Sequence, residues 1–173
     1  MDIEHLKSSI RNIPDYPKPG IQFKDITPIL QDPELFGRVI DIFYDRYKSE
    51  KIEVIVGIES RGFIFAAPLA LKLGCSLAIA RKPGKLPYET VSEEYSLEYG
   101  VDTLELHTDA IKPGERVLII DDLLATGGTA KATGKLVRKL KGDVVSFAFL
   151  IKLNSLRGEE LLKPNKVYSI VEF

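Results

Sequence analysis

The chain has 173 residues, of which 45% are apolar and 28% are charged, and its formal net charge is −1. This length and composition are typical of one globular domain of ordinary size, so we expect a single domain over residues 1–173. The near-neutral charge argues against a nucleic-acid-binding protein that works through bulk positive charge. The only cysteine, Cys75, rules out an intrachain disulfide and a multi-thiolate metal site.

The sequence carries no pattern that predicts export or membrane insertion. The segment 1–10 is charged and lacks the apolar core of a signal peptide. The longest nearly apolar run, Phe63–Leu71, is about half as long as a membrane span and contains Pro68. We therefore expect a cytoplasmic protein without membrane or nucleic-acid partners.

The first element predicted along the chain is a short helix, followed by an irregular stretch. Asp2 can cap this helix, which places Leu6 and Ile10 on one face. The prolines and the glycine of segment 14–20 then exclude a helix. We expect the irregular stretch to include Phe23, which lies on no helical or strand stripe.

A second helix is predicted to begin just after Asp32. Asp32 is a capping residue, and Pro33 suits the first position of a helix. The helix has an apolar stripe for burial, which consists of Leu35, Phe36, Val39, Ile40, Phe43 and Tyr47.

From residue 53 onward, strand-like and helix-like patterns alternate. Strands are predicted over 53–58, 76–80, 117–120, 144–151 and 167–171, and a half-exposed strand over 103–107. The runs 53–58, 117–120 and 144–151 are apolar enough to be buried. Helices are predicted over 62–73, ending at Gly74, and over 129–140. The polar stretch 81–100 shows no clear periodicity, which is typical of a lid or binding loop. The alternation predicts an α/β fold with a mainly parallel sheet covered on both faces.

The strongest functional signal is an acidic pair between a buried strand and a glycine-rich turn. Asp121 and Asp122 follow the strand 117–120, and the turn consists of Ala125, Thr126, Gly127, Gly128 and Thr129. Backbone N–H groups at the start of a helix bind phosphate, and small residues let it approach closely. The carboxylates would repel a phosphate, so we expect them to face hydroxyls, a cation or a developing positive charge. A ribose 5-phosphate meets both demands, and the alternative is a solvated strand end with a tight turn.

Two further strand ends carry candidate anion-binding residues. The first buried strand is followed by Glu59, Ser60, Arg61 and Gly62, which open a helix. The next strand is followed by three cations, Arg81, Lys82 and Lys85. Cations at the start of a long loop suit a lid that closes over an anionic group. The alternative in both places is surface charge that is simply solvated.

These motifs resemble the type I phosphoribosyltransferase family. The run 117–129 is similar to the signature with which this family binds phosphoribosyl pyrophosphate. Four more blocks resemble the members that use adenine: Tyr16–Leu30, Val56–Ala66, Arg81–Pro87 and Tyr95–Gly100. The resemblance spans residues 14 to 153.

The resemblance implies a fold, a reaction and an assembly. The fold would be a central, mainly parallel sheet flanked by helices, with residues 1–30 as a hood over the base and 82–100 as a mobile catalytic loop. The reaction would convert adenine and phosphoribosyl pyrophosphate to AMP and pyrophosphate. Mg²⁺ would be held by the substrate pyrophosphate and water, without direct protein ligands. An arginine at the position of Arg81 reaches the neighbouring subunit's site in similar enzymes, which implies a homodimer.

The resemblance also implies roles for single residues. The catalytic residues would be Glu98, Arg61, Asp121 and Asp122, with Glu98 as general acid at N7 of the base. Asp121 and Asp122 would hold the ribose hydroxyls, and the turn 125–129 would hold the 5-phosphate. Pyrophosphate would be bound by Glu59, Ser60, Arg61, Arg81, Lys82 and Lys85. Adenine would be bound by Gln22, Phe23, Lys24 and Leu153, with Phe23 as a stacking platform.

Two other functions remain open at this point. A regulatory protein can keep this fold to sense phosphoribosyl pyrophosphate, but such proteins add a DNA-binding domain or a basic face that this chain lacks. The same type of enzyme can also use hypoxanthine, xanthine or orotate. Incubation with each base in turn distinguishes these functions.

Overall fold

The computed structural model describes residues 3–97 and 100–173. These residues form two units, which divide between Ile42 and Phe43 within a helix. None of the helices in the described part of the chain has the length and apolarity that a membrane crossing requires.

The first unit contains a hairpin where we predicted an irregular stretch. It begins with helix α1 (Ile3–Ser9), continues through the antiparallel strands β1 (Arg11–Pro14) and β2 (Gln22–Asp25), and then enters α2 (Thr27–Gln31). The prolines and the glycine lie mostly in the irregular connection between the strands, as predicted, and the expectation was wrong only in extending this stretch to Phe23. Gly20 has a φ of 88°, and its N–H donates to Asp15 Oδ1 at 2.7 Å, which closes this connection.

Helix α3 (Pro33–Tyr47) begins where the sequence predicts it. The side chain of Asp32 accepts hydrogen bonds from the N–H groups of Glu34 at 2.9 Å and Leu35 at 3.1 Å. These contacts satisfy two of the N–H groups that a helix start leaves without partners.

The second unit is built on a parallel sheet of five strands in the order β4-β3-β7-β8-β9. The strands are β3 (Val54–Ile58), β4 (Ser76–Ala80), β7 (Arg116–Leu124), β8 (Asp143–Lys152) and β9 (Lys166–Glu172). Helix α4 (Gly62–Leu73) follows β3, and α5 (Gly128–Lys139) follows β7. Two 3₁₀ helices, Asn154–Leu156 and Gly158–Leu162, connect β8 to β9. The predicted parallel α/β sheet is confirmed.

Alternate residues of β3 pack against helices on opposite faces of the sheet. Val56 and Ile58 belong to a buried cluster that includes Leu136 of α5. Gly57 faces α4, because a Cβ atom there would lie 2.8 Å from that of Ala66. Since successive strand residues point to opposite faces, both faces are covered and β3 is buried throughout.

A second hairpin corrects the prediction of a long loop over 81–100. Strands β5 (Thr90–Leu97) and β6 (Gly100–His107) pair antiparallel, so the loop after β4 ends at residue 89. The polar sequence of β5 concealed this strand. Its Glu93 forms ion pairs with Lys135 at 2.7 Å and Lys139 at 2.8 Å, both on α5. A charged strand residue is thus stabilised by partners that are distant in the sequence.

Candidate active site

The carboxyl ends of β3 and β7 open into one cavity of about 430 Å³. The two strands are parallel neighbours, so the residues that follow them meet at the same edge of the sheet. The cavity is lined by Glu59, Ser60, Arg61, Lys82, Tyr95, Leu104, Asp121, Asp122, Leu123 and Thr129. Three separate sequence signals therefore contribute to one site: the acidic pair, the segment after β3 and, of the three cations after β4, Lys82.

The acidic pair lies at the carboxyl end of β7 and interacts with Arg61. Asp122 is 4% exposed, and its Oδ2 atom lies 2.7 Å from Nε of Arg61. This buried oxygen receives no well-directed hydrogen bond from the residues that the structure describes, so Arg61 acts on it through charge. Asp121 Oδ1 accepts a hydrogen bond of 2.9 Å from the N–H of Asp122.

The two carboxyl groups are difficult to ionise together. Burial, and next the neighbouring charge of Asp122, raise the pKa of Asp121 well above its ordinary range. Burial also raises the pKa of Asp122, and the charge of Arg61 opposes this effect. A positive charge that develops in the cavity favours the ionised form of the pair. This electrostatic coupling suits a reaction with a cationic transition state.

The glycine-rich turn forms a small cradle at the start of α5. This cradle has a volume of about 80 Å³ and is lined by residues 121, 123–130 and 149. Gly127 has a φ of 86° and immediately precedes the helix. Backbone N–H groups at such a position attract a phosphate, as the sequence predicts.

The turn is in close contact with Gly158, a residue that belongs to none of the sequence motifs. A Cβ atom on Gly158 would lie 2.2 Å from the carbonyl oxygen of Ala125, and one on Gly127 would lie 2.4 Å from that of Gly158. Both positions therefore require glycine. No local pattern around Gly158 indicates this, because the contact joins segments that are distant in the sequence.

Gly62 lets the start of α4 approach the acidic pair. A Cβ atom at this position would lie 2.8 Å from the carbonyl oxygen of Ile120 and 3.0 Å from Oδ1 of Asp121. Such a contact would separate the segment after β3 from the end of β7. The glycine in the predicted anion-binding segment thus has a packing role as well.

Glu59 holds the start of the loop after β4. Its Oε2 atom accepts the N–H of Lys82 at 2.7 Å, and its carboxylate receives Nε and an Nη of Arg81, each at 3.3 Å. Burial alone would raise the pKa of Glu59, but these donors lower it on balance. Arg81 also reaches the carbonyl oxygen of Lys85 at 3.4 Å. In this arrangement Glu59 orients two cationic residues, Arg81 and Lys82.

The predicted adenine residues of the first unit lie on strand β2, so the expectation that Phe23 lies outside a strand was wrong. Phe23 is partly buried and contacts the ring of Tyr16 edge to face, with centroids 5.2 Å apart. Gln22 accepts a hydrogen bond from Asn12 at 2.6 Å, and Lys24 donates one to Asn12 at 3.1 Å. The three predicted residues are therefore adjacent and ordered by the hairpin.

The other two predicted contacts of the base have different positions. Leu153 follows β8 and donates its N–H to the carbonyl oxygen of Leu124 at 3.0 Å, which joins it to the end of β7. Glu98 lies outside the described residues. Within residues 3–97 and 100–173, no cluster of three or more His, Cys, Asp or Glu side chains could hold a metal ion.

Comparisons with known proteins identify the family. The sequence model of one protein family, described as the phosphoribosyl transferase domain, matches residues 25–172. Over 173 residues, 99% of this chain and 94% of the relative, the sequence is 55% identical to the adenine phosphoribosyltransferase of Escherichia coli O157:H7 (strain EC4115 / EHEC). The chain belongs to the adenine phosphoribosyltransferase family. It is therefore a pentosyl-transferring enzyme, and the resemblance found in the sequence is confirmed.

Solved structures of adenine phosphoribosyltransferases share the fold. The enzyme from Thermoanaerobacter pseudethanolicus is 49% identical with a TM-score of 0.97, and the match covers 99% of this chain and 100% of that one. The Saccharomyces cerevisiae enzyme, complexed with D-2,5-dideoxy-2,5-imino-altritol 1,6-bisphosphate and adenine, is 40% identical with a TM-score of 0.93. That match covers 97% of each chain. The predicted phosphoribosyltransferase fold is confirmed.

Proposed function

We propose that this adenine phosphoribosyltransferase family member transfers the 5-phosphoribosyl group of phosphoribosyl pyrophosphate to N9 of adenine, which gives AMP and pyrophosphate. The reaction salvages purine, uses Mg²⁺ and takes place in the cytoplasm. The observation that carries the proposal is that an acidic pair and two cations, Arg61 and Lys82, line one cavity, which shares Asp121 and Thr129 with the cradle of the glycine-rich turn. These three features match the hydroxyls, the 5-phosphate and the pyrophosphate of the substrate.

The ribose phosphate end of the substrate occupies the end of β7 in this proposal. The 5-phosphate lies in the turn 125–129, where N–H groups at the start of α5 and two threonine hydroxyls are available. Asp121 and Asp122 accept hydrogen bonds from the 2′ and 3′ hydroxyls. Their position just before the turn suits a ligand that has hydroxyls close to its phosphate.

The pyrophosphate end lies against the segment after β3. Ser60, Arg61 and Lys82 line the cavity and offer a hydroxyl and two cations. Glu59 holds Arg81 and Lys82 by hydrogen bonds, so its part in pyrophosphate binding is to orient these cations. Lys85 extends the cationic surface, and Arg81 serves the neighbouring subunit of a homodimer.

The donor chemistry of the cavity is compatible with Mg²⁺. Asp121 and Asp122 line the cavity together with Arg61, and Mg²⁺ prefers oxygen ligands and retains several waters. These carboxylates would hold the ion through water, while the pyrophosphate supplies direct ligands. When bound, the ion neutralises charge that builds on the leaving group.

The residues of the cavity stabilise the charges of a displacement at the anomeric carbon. The bond from this carbon to the pyrophosphate oxygen breaks as the bond to N9 forms, and its electron pair leaves with the pyrophosphate. Positive charge develops on the sugar, where the ionised pair Asp121 and Asp122 stabilises it. Arg61 and Lys82 stabilise the negative charge of the leaving group. N9 attacks with its lone pair, so adenine must lose one proton. Glu98 accepts this proton from N7, and as general acid it returns the proton to N7 in the reverse reaction.

In this proposal, four residues bind the base. Phe23 stacks on the purine ring, and backbone groups of Gln22 and Lys24 contact its edge, while Leu153 packs on the other face. The 6-amino group of adenine is a donor, so it requires carbonyl acceptors, whereas a 6-oxo purine requires a donor. Backbone carbonyls in this segment favour adenine on this ground.

The experiment that tests the proposal is a product assay with competing bases. The protein is incubated with phosphoribosyl pyrophosphate and Mg²⁺ together with adenine, hypoxanthine, xanthine or orotate, and nucleotides are separated by chromatography. We expect AMP with adenine and little product with the other bases. Binding of phosphoribosyl pyrophosphate without product would support a regulatory protein, and product from another base would replace adenine as the substrate.

A further inference from the structure

Three side chains join the cavity to the β5–β6 hairpin. Nζ of Lys82 forms an ion pair with Oδ2 of Asp102 and donates a hydrogen bond to the Tyr95 hydroxyl at 3.2 Å. The Tyr95 hydroxyl in turn donates to Oδ2 of Asp102, also at 3.2 Å. Tyr95 and Asp102 lie directly opposite each other in the strand pairing of the hairpin. The hairpin thus presents two adjacent acceptors to one lysine.

Lys82 is fixed at its backbone as well as at its side chain. Its N–H donates to Glu59 at 2.7 Å, while its side chain reaches across to Tyr95 and Asp102. Lys82 and Tyr95 both line the cavity that contains the acidic pair. An ammonium group has three N–H donors, and the described contacts use two of them. One donor remains for a ligand in the cavity.

The charges of the cluster favour this arrangement. Hydrogen bonding to Lys82 lowers the pKa of the Asp102 carboxyl, so the carboxylate stays ionised at neutral pH. Burial alone would lower the pKa of Lys82, but Asp102 and Tyr95 raise it on balance. Asp102 Oδ1 accepts the N–H of Thr103 at 2.8 Å, which fixes the plane of the carboxylate. Both partners of the ion pair are therefore charged and oriented.

We propose that Asp102 and Tyr95 are positioning residues that hold the Lys82 ammonium group in place for the pyrophosphate of the substrate. The inference rests on the assignment of Lys82 to pyrophosphate in the proposed function. A lysine side chain loses rotamer freedom when it binds a ligand, and one that is already held loses less. Asp102 and Tyr95 thus increase affinity for the substrate without touching it.

The experiment is a double-mutant cycle in which the affinity for pyrophosphate is measured. Titration calorimetry measures pyrophosphate binding in the presence of Mg²⁺, and steady-state assays give KM for phosphoribosyl pyrophosphate and kcat. The variants are Asp102→Asn, Tyr95→Phe, Lys82→Met and the double variant Lys82→Met with Asp102→Asn. The matched control is Glu94→Gln, which removes a carboxylate charge from an exposed position of the same hairpin.

We expect Asp102→Asn to weaken pyrophosphate binding and raise KM by roughly five- to tenfold, with kcat changed less than about twofold. Tyr95→Phe should have a smaller effect in the same direction, since it removes the hydroxyl that contacts Lys82 and Asp102 but retains the ring and the ion pair. Lys82→Met should weaken binding at least as much as Asp102→Asn. In the Lys82→Met background, Asp102→Asn should have no further effect, because it acts only through Lys82. Glu94→Gln should match the wild type.

Three results would overturn the inference. Wild-type or tighter binding in Asp102→Asn would show that Asp102 does not position Lys82 for the ligand. Additive effects in the double variant would show that Asp102 acts independently of Lys82. Wild-type affinity for pyrophosphate in Lys82→Met would show that Lys82 does not bind pyrophosphate. The assay for AMP with adenine would still test the proposed reaction separately. Thermal melting shows whether Asp102→Asn still folds. If it does not, the same double-mutant cycle is measured with Tyr95→Phe, Lys82→Met and the double variant that combines them.

Discussion

The glycine-rich turn and the β5–β6 hairpin both border the cavity, but different interactions determine their conformations. The turn follows a buried strand and precedes a helix, and its own small residues and the positive φ of Gly127 create the bend. The hairpin is polar and is held by ion pairs from Glu93 to α5 and from Asp102 to Lys82. Local sequence is thus sufficient to recognise the turn, whereas the hairpin depends on partners that are distant in the chain.

The largest effect is expected at Glu98, which lies in the chain between β5 and β6. Glu98→Leu removes the group proposed to exchange a proton with N7 and should lower kcat by about 10²–10⁴, the usual range for general acid–base catalysis. Glu98→Gln keeps a side chain that can form a hydrogen bond with N7 and should lose less activity. Steady-state kinetics with adenine measures both, and titration with phosphoribosyl pyrophosphate should show unchanged affinity. Equal, near-wild-type turnover in the two variants would show that Glu98 does not take part in proton transfer at N7.

The acidic pair that precedes the turn should give the next largest effect. Replacement of Asp121 or Asp122 by Asn keeps the shape but removes a charge that faces the sugar, so kcat should fall by roughly 10²–10³. Rates are compared with the wild type at saturating substrate. Full activity in both variants would mean that the pair has only a structural role at the end of β7, and the turn region would then have no catalytic function to compare with that of the hairpin.

Gly158→Ala tests whether the turn also depends on a distant segment. The new Cβ atom would lie 2.2 Å from the carbonyl oxygen of Ala125, so either the turn or the 3₁₀ helix must move. Overpacking of this kind costs about 1–3 kcal/mol, and we expect that loss in the free energy of unfolding measured by urea titration. Binding of ribose 5-phosphate should weaken too.

The matched control for Gly158→Ala is Gly37→Ala on helix α3, where a Cβ atom meets nothing within 4 Å. This change should stabilise the protein by about 0.5–1 kcal/mol, because alanine has the higher helix propensity. Similar stability of the two variants would show that the turn adopts its conformation without the support of Gly158.

The smallest effect is expected from the ion pairs that hold the hairpin to α5. Lys135 and Lys139 lower the pKa of Glu93, so the folded-state pKa lies below the unfolded value. The ion pairs therefore stabilise the fold above the ordinary glutamate pKa of about 4.3, and this contribution is lost as the pH falls through the folded pKa. Glu93→Gln should cost less than about 1 kcal/mol at pH 7, since the lysines are half exposed.

Urea titrations of Glu93→Gln and the wild type at pH 7 and pH 3 measure this difference. It should shrink at the lower pH, and Glu94→Gln, an exposed neighbour on the same strand, serves as the control. A difference that is the same at both pH values would show that the hairpin does not depend on these charges.

The sequence by itself determined the elements whose signals are local. Helix α3 starts at the Asp32 cap, α4 ends at Gly74 with a φ of 69°, and β3 and β4 match their apolar runs. The same holds for the acidic pair and the turn that identify the family, because a buried strand, two acids and small residues are consecutive. Hydrophobic periodicity and glycine φ angles act within a few residues, which is why one sequence suffices to read them.

Only the tertiary structure decided the features that depend on distant partners. The first hairpin closes through Asp15 and Gly20, and the polar strand β5 acquires partners from α5. The contact of Gly158 with the turn and the ion pair of Lys82 with Asp102 likewise join segments far apart in the chain. Such contacts depend on how strands and helices pack together, so the sequence pattern of a single segment cannot predict them.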